Sequence, residues 1–572
     1  MADELLYEMS KTEIVDTSSP FIKRELVYVI DQNNGSYTNN QIIMDCASIS
    51  NAGKYADFSD AWIAVPLLIT MTSTYNFSAV ACDFSVGLKS GFHQLVHSIN
   101  VEYNSTSVVQ TTALTNMYIS YKLNTTLCVD DLVTLGAQIG FRGIDSPQSW
   151  YYSGNVDTTL TGVLTSNGNG STNNANAFAT LNLTNSYAGT ESNNPFLLRQ
   201  LDLLFNNSQD PFGVLLAGGT TWQTVSNQFA RGYTTSVVSS GGYYGKAWNI
   251  LATLRLKDLS DFFAKLPLVR GAYMKIYVNL NQSLTTINIT AGNGVYCQNN
   301  GIIIYGGLTN PLMFASGFTN NGSSNLLNGV AKTMVCSVSV LNSLDNNCPT
   351  SIAKTQLLSS CRLYCPLYTI NPMREEEYLA NRVRVVKYRD IFQSQALNQS
   401  GSFNYLVQNG LAGLKHIIVC PMIASTVNGI VVGTVATSSF SPIRSPFASE
   451  PASCSPVQWI SNYNVQISGV NIFADNENYG FIQFLQELYG VNSINGGLTD
   501  GLSSGLISQT AYYNNYGYLV ADVGRRLPEE DKTAKSVQIS GTILSKNAVD
   551  LFIFCELEKS ITIDIYSGKR LD

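Results

Sequence analysis

Arg255–Asn281, RLKDLSDFFAKLPLVRGAYMKIYVNLN, shows in succession the two periodicities on which this chain is built. From Asp258 to Leu266 the apolar residues Leu259, Phe262, Phe263 and Leu266 fall at helical spacing, and Pro267 ends the run. This predicts a short amphipathic helix with its phenylalanines in a core. From Tyr273 onward the period drops to two. Met274, Ile276, Val278 and Leu280 alternate with Tyr273, Lys275, Tyr277 and Asn279, so one row lines a buried sheet face and the other an outer face.

The strand period recurs on both sides of this stretch. Met334, Cys336, Val338 and Val340 alternate with smaller or more polar residues, as do Tyr463, Val465 and Ile467, and then Ile561, Ile563 and Ile565. Asn34-Gly35, Asn428-Gly429 and Gly496-Gly497 mark turns between runs. Helical spacing returns only briefly, at Asp130–Ile139 and at Phe481–Tyr489, where Gly490 is the expected stop. No strand–helix–strand rhythm appears, so a parallel α/β enzyme fold is not expected and antiparallel sandwiches fit best.

The chain has 572 residues, enough for two domains, and 45% of them are hydrophobic. Only 13% are charged, about half the usual share. Asn, Ser, Thr, Gly and 31 tyrosines take their place. Such a surface is weakly hydrated and suits burial against neighbours, since interfaces are poor in Lys and Glu and rich in Tyr. The net charge of -7, without a cluster of Lys or Arg, argues against direct nucleic-acid binding. Arg525, Arg526, Lys532 and Lys535 are the cations whose placement matters most to that expectation. The acidic N-terminal segment 1–20 has neither the basic nor the apolar region of a signal peptide, and Ala61–Met71 is too short to span a bilayer. Synthesis in the cytosol is therefore expected. The eleven cysteines are dispersed, and Cys361 and Cys365 would lie about 13 Å apart on one strand face, too far for a disulfide. They read as reduced, buried hydrophobes.

Between Ser146 and Gln200 only Asp157, Glu191 and Arg199 are charged, and the centre reads SNGNGSTNNANAF. A polar interdomain linker and a long insertion between strands both fit. The insertion is preferred, because Lys246–Leu280 beyond it is needed to close the first sandwich. This gives a first domain over 21–290, with the polar insertion around 146–200, and a second over 291–572.

A search for chemistry finds no framed site, so no catalytic residue, cofactor or metal is expected. His93 and His97 have the spacing of metal ligands on a helix, but GFHQLVHSINVEY reads as a strand and brings no third ligand. His416 precedes an apolar run and reads as a strand-entry residue. Gly501–Gly505 has the letters of a nucleophile elbow, without the preceding buried strand such an elbow requires. Ser239–Lys246 lacks the first glycine of a phosphate loop and has Ala247 where Ser or Thr should stand. The carboxylates Glu375–Glu377 and Glu529–Asp531 are adjacent in sequence rather than paired across a cleft, and read as solvated or intersubunit salt-bridge surface.

Whole segments carry a resemblance. These are SGFHQLVHSINVEYNSTSVVQTTALTNMYISYKL with DDLVTLGAQIGF, then RLKDLSDFFAKLPLVRGAYMKIYVNLN, then CRLYCPLYTINPMREEEYL with RVVKYRDI, and finally Tyr512–Lys569. In this order they resemble the major capsid proteins of virophages, Polintons and Polinton-like viruses. The resemblance implies a mainly β chain of two tandem eight-stranded antiparallel jelly rolls, with short helices and long loop insertions. It implies a homotrimer with six similar sandwiches and a near-hexagonal outline, tiling the icosahedral shell of a DNA virus beside penton and minor capsid proteins. Synthesis and assembly would then take place in the host cell, and the product would reside in the virion. The family's functional residues are contact surfaces, so no single site is carried over. The alternative is a β-sandwich adhesin or lectin-like carbohydrate-binding protein, which the expected lack of a secretion signal and the unpaired cysteines disfavour.

Overall fold

The computed structural model describes residues 20–73, 84–89, 91–110, 113–141, 244–289, 309–316, 332–341, 343–344, 358–424, 460–474, 478–494, 504–514, 516–524, 533–544 and 548–572. Its strands are β1 (Phe21–Ile30), β2 (Gln41–Asp45), β3 (Tyr55–Ala56), β4 (Trp62–Ser73), β5 (Phe84–Leu88), β6 (Val96–Tyr103), β7 (Thr106–Gln110), β8 (Tyr244–Arg255), β9 (Val269–Arg270), β10 (Met274–Leu280) and β11 (Ser283–Ile289). They continue as β12 (Leu312–Ser316), β13 (Lys332–Val340), β14 (Arg362–Ile370), β15 (Val383–Gln399), β16 (Ser402–Leu411), β17 (Leu414–Ile423), β18 (Ile460–Ile467), β19 (Val470–Asn471), β20 (Leu519–Asp522), β21 (Lys535–Ile543) and β22 (Val549–Asp564). The helices are α1 (Ala47–Asn51), α2 (Thr115–Thr126), α3 (Val129–Ile139), α4 (Leu256–Leu259), α5 (Asp261–Lys265), α6 (Pro372–Leu379), α7 (Phe481–Ile494) and α8 (Gln509–Asn514).

The C-terminal strands form two four-stranded sheets, β15-β22-β17-β20 and β16-β21-β18-β19. Numbered one to eight along the chain, they pair as 1-8-3-6 and 2-7-4-5. A long hairpin with strands four and five at its tip gives this order when both arms are rolled together, which is the jelly roll. The N-terminal strands repeat it. β1 pairs β14, β14 pairs β4 and β4 pairs β8, while the facing sheet runs β2-β10-β6-β7. With β1, β2, β4, β6, β7, β8, β10 and β14 as one to eight, the pairing is again 1-8-3-6 and 2-7-4-5. The chain is thus two tandem jelly rolls, as expected. Additional strands decorate the first: β13 and β11 extend its sheet beyond β4, β3 and β9 add a short edge, and β12 pairs β5 apart from both sheets.

The division between the rolls is later than the expected 290/291. β13 lies against β4, and β14 joins β1 to β4 as the eighth strand of the first roll. The second roll opens only at β15. Local alternation cannot reveal this, because a closing strand is chosen by the sheet it completes. The polar stretch around 146–200 lies outside the described residues, but its flanks, α3 and β8, both belong to the first roll.

Burial follows the alternation closely on β10, where every second residue from Met274 to Leu280 is buried. Cys336, Val338 and Val340 are also buried, yet so are Ser337 and Ser339, because β13 is covered on both faces. The helix expected over Asp258–Leu266 is two pieces, α4 and α5. Ser260 between them is extended, and its hydroxyl accepts from the Phe262 amide to cap α5. Phe262 and Phe263 are fully buried, as their spacing predicts. α7 passes through Gly490 instead of stopping there; a helical glycine costs only about 1 kcal/mol. Among the described residues no helix is long and apolar enough to cross a membrane.

Candidate functional site

The rolls meet along a buried seam with three parts. At one end, Val386, Tyr388, Ile561, Ile563 and Ile565 of the second roll enter the first roll's core. The Tyr388 ring lies edge-on to Phe262 at 5.1 Å, and its hydroxyl donates to the Val108 carbonyl at 2.5 Å. The C-terminal turn packs so closely that a Cβ on Gly271, whose φ is +71°, would lie 2.9 Å from the Ser567 carbonyl oxygen. The Arg270 amide donates to the Ile565 carbonyl and the Asn104 side chain to the Gly568 carbonyl.

At the other end, α2 of the first roll lies across the outward face of the second. Leu114, Met117 and Tyr121 pack on Ile418, Cys420 and Met422 of β17 and on Phe552 and Phe554 of β22. α7 and α8 complete this layer with Phe484, Leu488 and Tyr512. The last glycine of the elbow-like motif has a packing role here. Gly505 has φ +64°, and a Cβ on it would lie 2.5 Å from Thr125 at the end of α2. Residues 501–503 of that motif are outside the described residues.

Between these layers lies a buried ionic cluster. Glu556 accepts from the Tyr118 hydroxyl at 2.5 Å and from Arg389 at 2.8 Å, and lies 2.9 Å from His416 Nδ1. Asp522 is 3.6 Å from the other ring nitrogen. His416 and Glu556 are almost completely buried. Burial alone would push the Glu556 carboxyl up, but the His416 hydrogen bond and charge, Arg389 and Tyr118 outweigh it and hold it at about 2. His416 does enter a strand, β17, as its position suggests. The other members of the cluster come from β15, β20, β22 and α2, so nothing local to the His416 sequence signals it.

The remaining sequence candidates are dispersed. His93 sits in a 3-10 turn, Phe92–Leu95, with its Nε2 2.7 Å from the Ser120 hydroxyl, and burial pushes it down to about 3. His97 lies on β6. Glu375 accepts from the Tyr55 hydroxyl at 2.7 Å, and Arg374 pairs with Glu377 at 2.9 Å, both on α6. Lys246 and Ala247 are in β8, and Lys535 is buried at the head of β21. Ser239–Gly242, Arg525, Arg526, Glu529–Asp531 and Lys532 lie outside the described residues. Cys46, Cys336, Cys361, Cys365, Cys420 and Cys555 are buried free thiols, and Cys128 is exposed. Among the described residues no group of three His, Cys, Asp or Glu could hold a metal ion.

One large feature is exposed. On β1, Ile22, Leu26, Tyr28 and Ile30 point outward at 64, 58, 53 and 52% exposure. Beside them on β14 and β4 stand Tyr364, Tyr368 and Trp62, with Trp62 stacked on Tyr364 at 4.3 Å. Arg362 lies over the Tyr28 ring and Arg24 over Tyr368, so even the cations lie against aromatic surface. The sequence shows β1 as one more alternating run; only the fold shows that these four residues are exposed.

No family model and no curated protein matches this sequence. Among the solved structures it resembles are several from viruses. It is similar to the structure of the Sputnik virophage at 11% identity, covering 97% of this chain and 89% of that one with a TM-score of 0.49. It is similar to the mavirus major capsid protein at 8% identity, covering 96% of this chain and 89% of that one with a TM-score of 0.39. For the Faustovirus major capsid protein the identity is 10%, with 94% and 90% covered and a TM-score of 0.40.

Proposed function

We propose that this chain is the major capsid protein of an icosahedral DNA virus, a structural subunit and not an enzyme, which forms homotrimers and resides in the virion. The observation that carries this reading is the repeated winding: one polypeptide makes the same jelly roll twice and welds the two copies along a buried seam. A rigid two-module tile results. Three such tiles present six similar modules, an outline that packs on a flat shell facet. The sequence resemblance to virophage and Polinton-type capsid proteins supports the same reading, as does a surface with few charges and many tyrosines. Penton and minor capsid proteins are the further partners this role requires. The test is to express the full chain alone, determine its mass in solution and image it in negative stain. Hexagonal trimers are expected, with melting that depends on concentration where dissociation is reversible. A monomer indifferent to concentration, forming no lattice with its shell partners, would contradict the reading.

A further inference from the structure

We propose that the contact between His93 and Ser120 is a proton-operated latch, so that a proton taken up by His93 loosens α2 and with it the cover over the second roll. This goes beyond the shell-subunit reading and does not depend on it. α2 has two working faces. Toward the second roll, Leu114, Met117 and Tyr121 pack on β17 and β22. Toward the first, Asn116 and Ser120, both buried, meet the 3-10 turn at His93 and Gln94. Asn116 Nδ2 donates to Gln94 Oε1 at 2.9 Å, and Gln94 Nε2 donates to the Ser120 hydroxyl oxygen at 2.9 Å. The Ser120 proton is thereby left for His93 Nε2, 2.7 Å away, which accepts it.

A proton on that nitrogen would point at donors, since the Gln94 amide nitrogen also lies 3.5 Å from it. The ring cannot simply turn away. A Cβ on Gly91 would collide with it, and the Phe141 ring lies 6.1 Å off. The elements packed against the turn and α2 are β6, β8 and α4. Their carboxylates are engaged elsewhere: Glu102 on β6 accepts from Tyr277, and Asp258 on α4 pairs with Arg255 on β8. Lys122 on α2, Lys257 on α4, His97 on β6 and the buried Lys89 ahead of the turn bring no negative charge. Glu556, Arg389, His416 and Asp522 form the cluster that meets α2 on its other face, through Tyr118. Burial is accordingly the one influence on His93, holding it at about 3 against an ordinary 6.5. The closed state excludes a proton that an opened one accepts. Its stability is therefore full above pH 6.5 and is lost as pH falls toward about 3.

Amide hydrogen exchange of the purified full chain, corrected for the intrinsic pH dependence of exchange, tests the latch. Between pH 7 and pH 5 the opening constant of residues 117–126 should rise on the order of twentyfold. Glu556, held at about 2, contributes only below this window. His93→Gln supplies an amide that takes up no proton, and should abolish the rise, while His97→Gln should keep it. A rise undiminished in His93→Gln would assign it to His97 or Lys89 and overturn the proposal. So would its loss in His97→Gln alone. The wild-type profile needs no variant to fold: if it is flat from pH 7 to pH 5, the inference fails.

Discussion

The outward faces of β14 and β22 occupy the same place in the same winding and have opposite surroundings. Phe552 and Phe554 on β22 are sealed beneath α2, with Glu556 on the same row held in an ionic cluster. Tyr364 and Tyr368 on β14 neighbour a row of β1 that remains exposed. Topology fixes which strands pair and which rows share a face. It does not fix what lies on that face, because the cover in the second roll comes from a segment more than 290 residues away in sequence (Tyr121 to Ile418).

Substitution separates the two faces. The largest effect is expected beneath the cover and at its far anchor: Phe554→Ala and Phe262→Ala should each cost about 3 to 5 kcal/mol, by cavity formation in cores with no room to collapse. Denaturant unfolding of the purified chain measures this. Normal stability in both variants would mean that the seam is not a packed core.

Glu556→Gln should cost a comparable 3 to 5 kcal/mol, since it removes the buried carboxylate to which Arg389, His416 and Tyr118 are hydrogen-bonded. It also has a pH signature. Because the folded carboxyl is held at about 2, below its unfolded value, its stabilisation is present at neutral pH and is lost as pH falls from the ordinary carboxylate range toward about 2. Acid titration of unfolding should show this loss in wild type and a shallower one in Glu556→Gln. Equal acid slopes would remove Glu556 as the responsible group.

Tyr388→Phe keeps the ring against Phe262 but removes the hydrogen bond to Val108, and should cost about 1 kcal/mol. A loss several times larger would show that the hydroxyl organises the seam beyond one bond. Leu26→Asp on the open face should change the stability of the dissociated chain by no more than about 0.5 kcal/mol, as a surface substitution does. Its effect belongs to association, so dilution and melting must be measured together. A large loss of monomer stability would mean that the chain itself covers β1.

The fold was legible wherever one strand face is buried and the other is not. On β10, burial alternates residue by residue as the sequence does, and Phe262 and Phe263 are core residues because helical spacing puts them on one side. Legibility ends where local signals compete or are absent. Ser260 splits a helix that apolar spacing alone makes continuous, although a Ser followed by Asp is itself a capping signal. α2 reads as a mixture of Asn, Thr and Tyr, since it is buried on several sides and has no clean polar face.

The sequence by itself determined that this protein is mainly β, that its charges are few, and that Phe262, Phe263 and the alternating row of β10 are interior. Those properties follow from side-chain chemistry and from a period of two or 3.6, which neighbouring residues impose on one another. The tertiary structure alone decided that β14 closes the first roll, that His416, Arg389, Asp522 and Tyr118 converge around Glu556, and that the apolar row of β1 is left open. Each of these depends on segments brought together across hundreds of residues, and an alternating strand carries the same pattern whether its outward row meets solvent, another part of its chain or a second molecule.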